Sequence, residues 1–252
     1  MCELKYKLYS GEDTPNLLER ADEMVSPLWP EFMKKDPIGN KYWGDLYERF
    51  GRYQFSLEDE ETGELFASAN SIPLRYDGDL FELPERGWDW AFETGVKQHQ
   101  EGIEPNILCA IQIAVAKDYR GLGVSPVMLD LMRDLTDKYR FPVLIAPVRP
   151  SLKSDYPITS IDEYVGWEDD NGELFDPWLR VHQRAGATLI APCHEAMLIS
   201  GTIKDWEGWA ETRFPASGKY VIPGALIPIE IDIEKDRGVY REPNVWMAHP
   251  IR

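Results

Sequence analysis

An apolar segment, a short glycine-rich loop and an amphipathic helix follow one another in the middle of the chain. Residues 107–115 are mostly apolar, which is typical of a buried strand. Gly121 and Gly123 allow a tight turn, and Ser125, as an N-cap followed by proline, predicts a helix over 125–139. A glycine loop that leads from a strand into a helix presents free N–H groups. The segment therefore predicts a binding site for a phosphate.

The order of residues in this loop excludes two common phosphate-binding motifs. No Lys follows Gly123, so the loop is not a P-loop, and Pro126 stands where the dinucleotide-binding motif requires its third glycine. The segment Arg120-Gly121-Leu122-Gly123-Val124-Ser125 instead resembles Arg/Gln-x-x-Gly-x-Gly/Ala, the pyrophosphate loop of the GNAT acyltransferase superfamily. Ser125 replaces the last Gly or Ala. A glycine-rich turn in an unrelated α/β protein is the alternative.

The chain carries a formal net charge of −17, from 44 acidic and 27 basic residues among 252. Such a surface repels the phosphates of nucleic acids and of anionic membranes, so we expect neither as a partner. It attracts a cationic acceptor such as an amine by electrostatic steering, although acidity can equally serve only to keep a protein in solution.

Neither membrane insertion nor metal binding is predicted. No apolar run reaches the roughly 18 residues of a membrane span, and the N-terminus lacks the apolar core of a signal peptide. The three cysteines, Cys2, Cys109 and Cys193, are scattered, and no Cys-x-x-Cys or His-x-x-x-His pair is present. These observations favour a cytoplasmic protein with reduced thiols and no metal site.

The hydrophobic patterns predict one strand, two helices and a hairpin before the segment 107–115. The predicted strands are 4–9, 52–57, 64–74, 107–115, 141–148, 187–201 and 224–233, with an extended tail at 237–249. The predicted helices are 15–33, 36–50, a short one through His99, 125–139, 159–167, one between Asp176 as N-cap and Gly186 as the glycine after its end, and 204–213.

This order resembles that of the GNAT superfamily. The resemblance implies an α/β (α+β) fold, with a mixed central sheet and helices on both faces. We expect one domain over residues 1–252. It would carry an insertion at 77–104, between the third and fourth strands, and an extended C-terminal part at 190–252.

The resemblance also implies a donor site. GNAT enzymes hold acetyl-CoA, or coenzyme A, between two parallel strands that splay apart, with the pantetheine on a strand edge and the pyrophosphate on the loop. The expected donor-binding residues are Ile113, Ala114, Val115, Arg120, Gly121, Leu122, Gly123, Val124 and Ser125. Arg120 either contacts the pyrophosphate or holds the loop through backbone carbonyls.

Two residues are candidates for protonating the departing CoA thiolate. The superfamily commonly uses a Tyr in a Tyr-x-x-x-Gly helix ending, and this chain has His182 four residues before Gly186. His titrates close enough to a thiol for this task. Tyr164 is the second candidate. For both residues, the alternative is a purely structural role.

The acceptor side is less defined by the sequence. Gln112, Asn70 and Arg149 are the candidate substrate-binding residues. Lys153 is expected as surface charge, and Glu101 and Glu104 as solvated carboxylates without a role. The insertion is expected to border the acceptor pocket.

The function that the resemblance implies is an acyl-CoA-dependent N-acyltransferase. A small-molecule primary amine would attack the thioester directly in a ternary complex. The alternatives are a donor carried on a carrier protein or a tRNA, a catalytically inactive CoA-binding relative, and an unrelated α/β binding protein. The oligomeric state, including a homodimer, stays open.

Overall fold

The computed structural model describes residues 5–251, which form one nine-stranded sheet flanked by helices. The strands are β1 (Tyr6–Ser10), β2 (Gln54–Asp59), β3 (Leu65–Leu74), β4 (Ile107–Val115), β5 (Val143–Val148), β6 (Thr188–Gly201), β7 (Gly218–Tyr220), β8 (Ile229–Asp232) and β9 (Arg237–Pro250). The helices are α1 (Leu17–Val25), α2 (Pro37–Glu48), α3 (Gly87–Gln100), α4 (Val124–Lys138), α5 (Ile161–Tyr164), α6 (Pro177–Arg184) and α7 (Ile203–Ala210). Cys2 lies outside the described residues. No helix among residues 5–251 is both long and apolar enough to cross a lipid bilayer.

The strands follow the order β1-β2-β3-β4-β5-β9-β8-β7, and β6 pairs along β9. Among the strands of residues 5–251, β4 and β5 are the only parallel neighbours, and the other pairs are antiparallel. The segment 237–249 is extended, as predicted, but it is not a peripheral tail: these residues form β9, which inserts between β5 and β6. Most of β9 is buried, so the end of the chain completes the centre of the sheet.

Two apolar cores lie on opposite faces of the sheet, because alternate strand residues point to opposite sides. One face packs against α2, α3 and α7 through residues such as Leu46, Phe92 and Trp206. The other packs against α4, α5 and α6 through residues such as Met128 and Leu179. We name these the α2 face and the α4 face.

Two predicted elements are shorter than the sequence pattern indicated. The helix expected over 15–33 ends at Val25, since Pro27 and Pro30 follow, and short 3-10 turns replace its remainder. The strand expected over 224–233 is confined to β8.

The strand β8 is short because a buried turn precedes it. The side chains of Arg149 and Lys153 hold this turn in place. The Arg149 Nη2 donates to the Gly224 carbonyl at 2.6 Å, and the Lys153 Nζ donates to the Leu226 carbonyl at 2.7 Å. Lys153 is 0% exposed, so its expected place on the surface is wrong. Burial lowers the pKa of Lys153 to about 8.

A pair of buried carboxyl groups joins α2, α3 and β6. Asp36 caps α2 and accepts from the Gly39 N–H at 2.7 Å, while Asp89 accepts from the Leu198 N–H at 3.1 Å. Their remaining oxygens have no other partner in the described residues, and the two side chains interact with each other. Burial, followed by repulsion from Asp36, raises the pKa of Asp89 to about 8, and burial also raises the pKa of Asp36. These raised pKa values predict that the pair holds one proton at neutral pH.

This shared proton predicts a pH-dependent stability. The unfolded chain loses its Asp protons near pH 4, whereas the folded pair keeps one until about pH 8. The contribution of the pair to stability therefore falls as the pH rises through this window. In Asp89→Asn an amide N–H donates to Asp36 with no proton to lose. We therefore expect the melting temperature of this variant minus that of wild type to increase between pH 6 and pH 9. The exposed Asp134→Asn is the control, and a difference that does not change with pH would contradict the shared proton.

Candidate active site

The parallel strands β4 and β5 pair only at their beginnings. The paired positions are Leu108 with Leu144 and Cys109 with Ile145. Beyond them β4 stays paired with β3 as far as Val115, and β5 stays paired with β9 as far as Val148. The facing edges of the two strands are therefore free of each other, and a split opens between them. A strand edge without a neighbour presents unpaired N–H and C=O groups to an extended ligand.

The loop after β4 ends at a helix that begins one residue earlier than predicted. Gly121 and Gly123 have φ of +77° and +81°, a region that favours glycine. Gly123 is the N-cap of α4, so the expectation that Ser125 caps this helix is wrong. The left-handed Gly123 already completes the turn, and helical geometry starts at Val124. Pro126 is tolerated because first-turn N–H groups have no partner within a helix.

The amides around this helix start are free. Within residues 5–251, the N–H groups of 121–125 donate no hydrogen bond in a turn or cap, and no side chain caps α4. Leu122 is 64% exposed, so the loop faces solvent. Free N–H groups at the positive end of a helix dipole suit an anionic phosphate.

Two side chains before the loop fix its position. The Arg120 Nε donates to the Val115 carbonyl at 3.3 Å, which ties the loop to the end of β4. The Tyr119 ring stacks on Phe66 at 4.6 Å, and its hydroxyl donates to Asp59 at 2.7 Å. Of the two roles expected for Arg120, the geometry corresponds to holding the loop through a carbonyl.

A narrow cleft with several polar residues in its lining opens on the α2 face, between α1, α2, β3 and β4. Its lining residues are Leu18, Ala21, Asp22, Val25, Trp43, Tyr47, Ser68, Asn70 and Gln112. Asn70 and Gln112 are direct partners in the β3–β4 register, which brings the two predicted residues together. The side-chain oxygens Asn70 Oδ1 and Gln112 Oε1 lack a hydrogen-bond partner among the described residues. Asp22 adds a carboxylate at the exposed side of the cleft. The sequence did not single out this residue, because the pattern of its helix identifies only the apolar face.

His182 lies on the α4 face in a buried pair with a second histidine. The Nδ1 of His182 and the Nε2 of His249 are 2.9 Å apart, and the two side chains are 2% and 1% exposed. His249 is the register partner of Leu144, which is itself paired with Leu108. The backbone of His249 is therefore level with the closed end of the split, with β5 between them. The sequence analysis missed His249, since 67 residues separate the two.

Burial keeps both histidines neutral. It lowers the pKa of His182 well below its usual range, with His249 as the second cause. It lowers the pKa of His249 to about 4, with the nearby Arg133 guanidinium as the second cause. The outer nitrogens, Nε2 of His182 and Nδ1 of His249, have no partner within residues 5–251.

The other two predicted side chains are engaged elsewhere. The Tyr164 hydroxyl is buried and donates to Asp176 at 2.8 Å, and Asp176 in turn caps α6. Arg149 forms a buried ion pair with Glu242. Neither group lines the cleft. Glu101 and Glu104 are exposed, as the sequence analysis expected.

Known proteins resemble this chain in sequence, and solved structures resemble it in fold. The chain is 30% identical over 275 aligned positions to the arginine N-acetyltransferase avaD of Aspergillus versicolor, an alignment that covers 98% of this chain and 94% of that protein. The chain belongs to the GNAT superfamily. It is an N-acyltransferase, as the glycine loop and the element order indicated. No protein-family model matches it.

Solved GNAT structures confirm the fold. The loading GNATL domain of CurA from Lyngbya majuscula superposes with a TM-score of 0.64 at 16% identity, over 98% of both chains. The GphF GNAT-like decarboxylase in complex with isobutyryl-CoA superposes with a TM-score of 0.59 at 12% identity, over 98% of this chain and 100% of that chain. At these identities the likeness concerns the GNAT fold alone.

Proposed function

We propose that this GNAT protein transfers an acyl group from an acyl-CoA, with acetyl-CoA as the first candidate, to a basic small-molecule amine. The observation that carries the proposal is the split between β4 and β5, which runs from a buried vertex to a loop with free amides. The edge at Ile113, Ala114 and Val115 suits the amide groups of pantetheine, and the N–H groups of 122–125 suit the pyrophosphate.

The acceptor class follows from the cleft on the α2 face. Asp22 supplies a negative charge, and Asn70 and Gln112 supply carbonyl oxygens without partners. These groups complement a cation that carries several N–H donors, and Trp43 and Tyr47 offer aromatic surface to it. A guanidinium or an ammonium group fits this description. The name of the relative, an arginine N-acetyltransferase, points to the same class.

The reaction that we propose is a direct transfer. The cationic acceptor first loses one proton to solvent, and the lone pair of its nitrogen then attacks the thioester carbon. A C–N bond forms, the C–S bond breaks, and the departing thiolate takes up the second proton that the nitrogen loses. Because burial lowers the pKa of His182, its neutral ring would donate a hydrogen bond rather than act as an imidazolium acid. In the required tautomer, His249 Nε2–H donates to His182 Nδ1, which leaves the Nε2–H of His182 for the sulfur.

The acceptor assignment is tested by mass spectrometry of reactions with acetyl-CoA and arginine, agmatine, lysine or a neutral amine. We expect acetylation of the basic acceptors. Gln112→Met should raise their KM about 10-fold to 100-fold, since a buried hydrogen bond to a cation is lost. Asp22→Asn should raise it about fivefold, which is the range of an exposed ion pair. Glu23→Gln, a neighbouring exposed carboxylate, is the control.

Other outcomes of this assay support the alternatives. Tight CoA binding without turnover of any acceptor indicates an inactive relative. Consumption of a carrier-protein or tRNA thioester, with acetyl-CoA untouched, indicates a different donor. Equal preference for neutral and basic amines contradicts the role of Asp22 and Gln112.

The role of His182 is tested by His182→Phe, which keeps an aromatic ring and removes the donor. Loss of one preorganised donor typically costs about 10²–10³ in kcat, and we expect this loss with CoA affinity little changed. His99→Phe, at a ring that packs on Phe50 at 4.8 Å, is the matched control. A kcat within a few-fold of wild type would mean that the histidine pair is structural.

A further inference from the structure

The first turn of α3 reaches across the α2 face to the closed end of the split. The Trp88 Nε1–H donates to the Ile111 carbonyl at 2.8 Å, and this bond is buried. Helix α3 belongs to the 77–104 insertion, so the contact joins an element outside the basic GNAT order to strand β4. None of the insertion lines the polar cleft.

Ile111 occupies a special position on β4. In the β3–β4 register Asn70 faces Gln112 and Ser71 faces Ala110, so Ile111 is the extra residue of a β-bulge. The last β4–β5 pair, at Cys109, is two positions earlier. A bulge leaves backbone groups outside the ladder, and the Trp88 indole supplies a partner for the carbonyl at that point. The ring therefore stands where the two strands begin to part.

Close packing fixes the Trp88 ring in this position. A Cβ added at Gly39 would lie 3.4 Å from Trp88 Cη2, so the ring packs close to the backbone of α2. Phe92 packs edge-on against it at 5.1 Å. At Gly87 an added Cβ would lie 2.7 Å from the Ala196 Cβ, so the start of α3 is seated directly on β6. The indole is therefore buried among α2, α3 and β4.

In the proposed reaction, the sites of the acyl donor and of the amine acceptor lie on opposite faces of the sheet. The glycine loop leads into α4, which packs on the α4 face, whereas Asp22, Asn70 and Gln112 lie on the α2 face. An acyl group must therefore pass through the split at its vertex to meet the acceptor. Cys109 and Ile145, the last pair of β4 and β5, belong with Ile111 and Trp88 to the buried core on the α2 face.

We infer that Trp88 limits the length of the acyl chain that the enzyme transfers and holds the bulge of β4 in place. This inference rests on the proposed function. The ring closes the α2 side of the vertex, so short acyl groups fit and longer ones collide with the indole. The insertion would thus contact the acyl group of the donor. From the sequence, we had expected the insertion to border the acceptor pocket.

Two substitutions separate the size of the ring from its hydrogen bond. Trp88→Leu removes volume, and we expect kcat/KM for butyryl-CoA relative to acetyl-CoA to rise at least 10-fold, because a pocket discriminates by roughly this factor per methylene. Trp88→Phe keeps most of the volume but leaves the Ile111 carbonyl without its donor. We expect it to lower kcat while keeping the wild-type chain preference. Trp90→Phe, on the same helix, is the control, and thermal unfolding verifies the fold of each variant.

Calorimetric titration of CoA, acetyl-CoA, butyryl-CoA and hexanoyl-CoA supplies a readout that does not need turnover. We expect Trp88→Leu to bind the two longer thioesters at least 10-fold more tightly than wild type, with free CoA unchanged. An identical chain-length profile in wild type and Trp88→Leu would overturn the inference. Absence of transfer by wild type, with the binding profile shifted as expected, would overturn the proposed function and leave the role of Trp88 standing.

Discussion

The parting of β4 from β5 after two paired positions is the constraint on which the rest of the site depends. Sheet edges normally pair, and a buried backbone group without a partner is unfavourable. Both strands are held apart by their outer neighbours, β3 and β9, and by the bulge at Ile111. The chain therefore keeps an open edge in its interior, which an extended ligand with amide groups can complete. The glycine loop continues this edge into the free amides at the start of α4.

Side chains from distant segments of the chain lie near the vertex of the split on both faces of the sheet. On the α4 face the neutral pair His182–His249 lies beside it, and on the α2 face Trp88 donates to Ile111. In the proposed reaction the thioester sulfur stays on the α4 face, and the acyl carbon is presented to the acceptor on the α2 face. Low local polarity at both positions strengthens hydrogen bonds from fixed donors.

Local features of the sequence predicted much of the fold and the donor side of the site. Strand 107–115 and Asp176 as the cap of α6 were predictable because apolar runs and caps act over a few residues. The helix start after Gly123 was one residue off, since a left-handed glycine can itself be the N-cap. The burial of Lys153 and the partner of His182 depend on contacts over 73 and 67 residues. No short-range pattern contains that information.

In the proposed function, the free edge of β4 and its glycine loop bind the CoA moiety of the donor. Calorimetric titration of CoA into Gly123→Val and Gly102→Val tests it directly, because the two glycines have φ of +81° and +71° with open space around each. Both variants carry similar backbone strain, of roughly 1–2 kcal/mol, but only Gly123→Val displaces the amides of the glycine loop. We predict a loss of CoA affinity of about 100-fold or more for Gly123→Val, since hydrogen bonds to a charged group contribute about 1.5–3 kcal/mol each, and wild-type affinity for Gly102→Val. Wild-type affinity in a folded Gly123→Val protein would contradict the account.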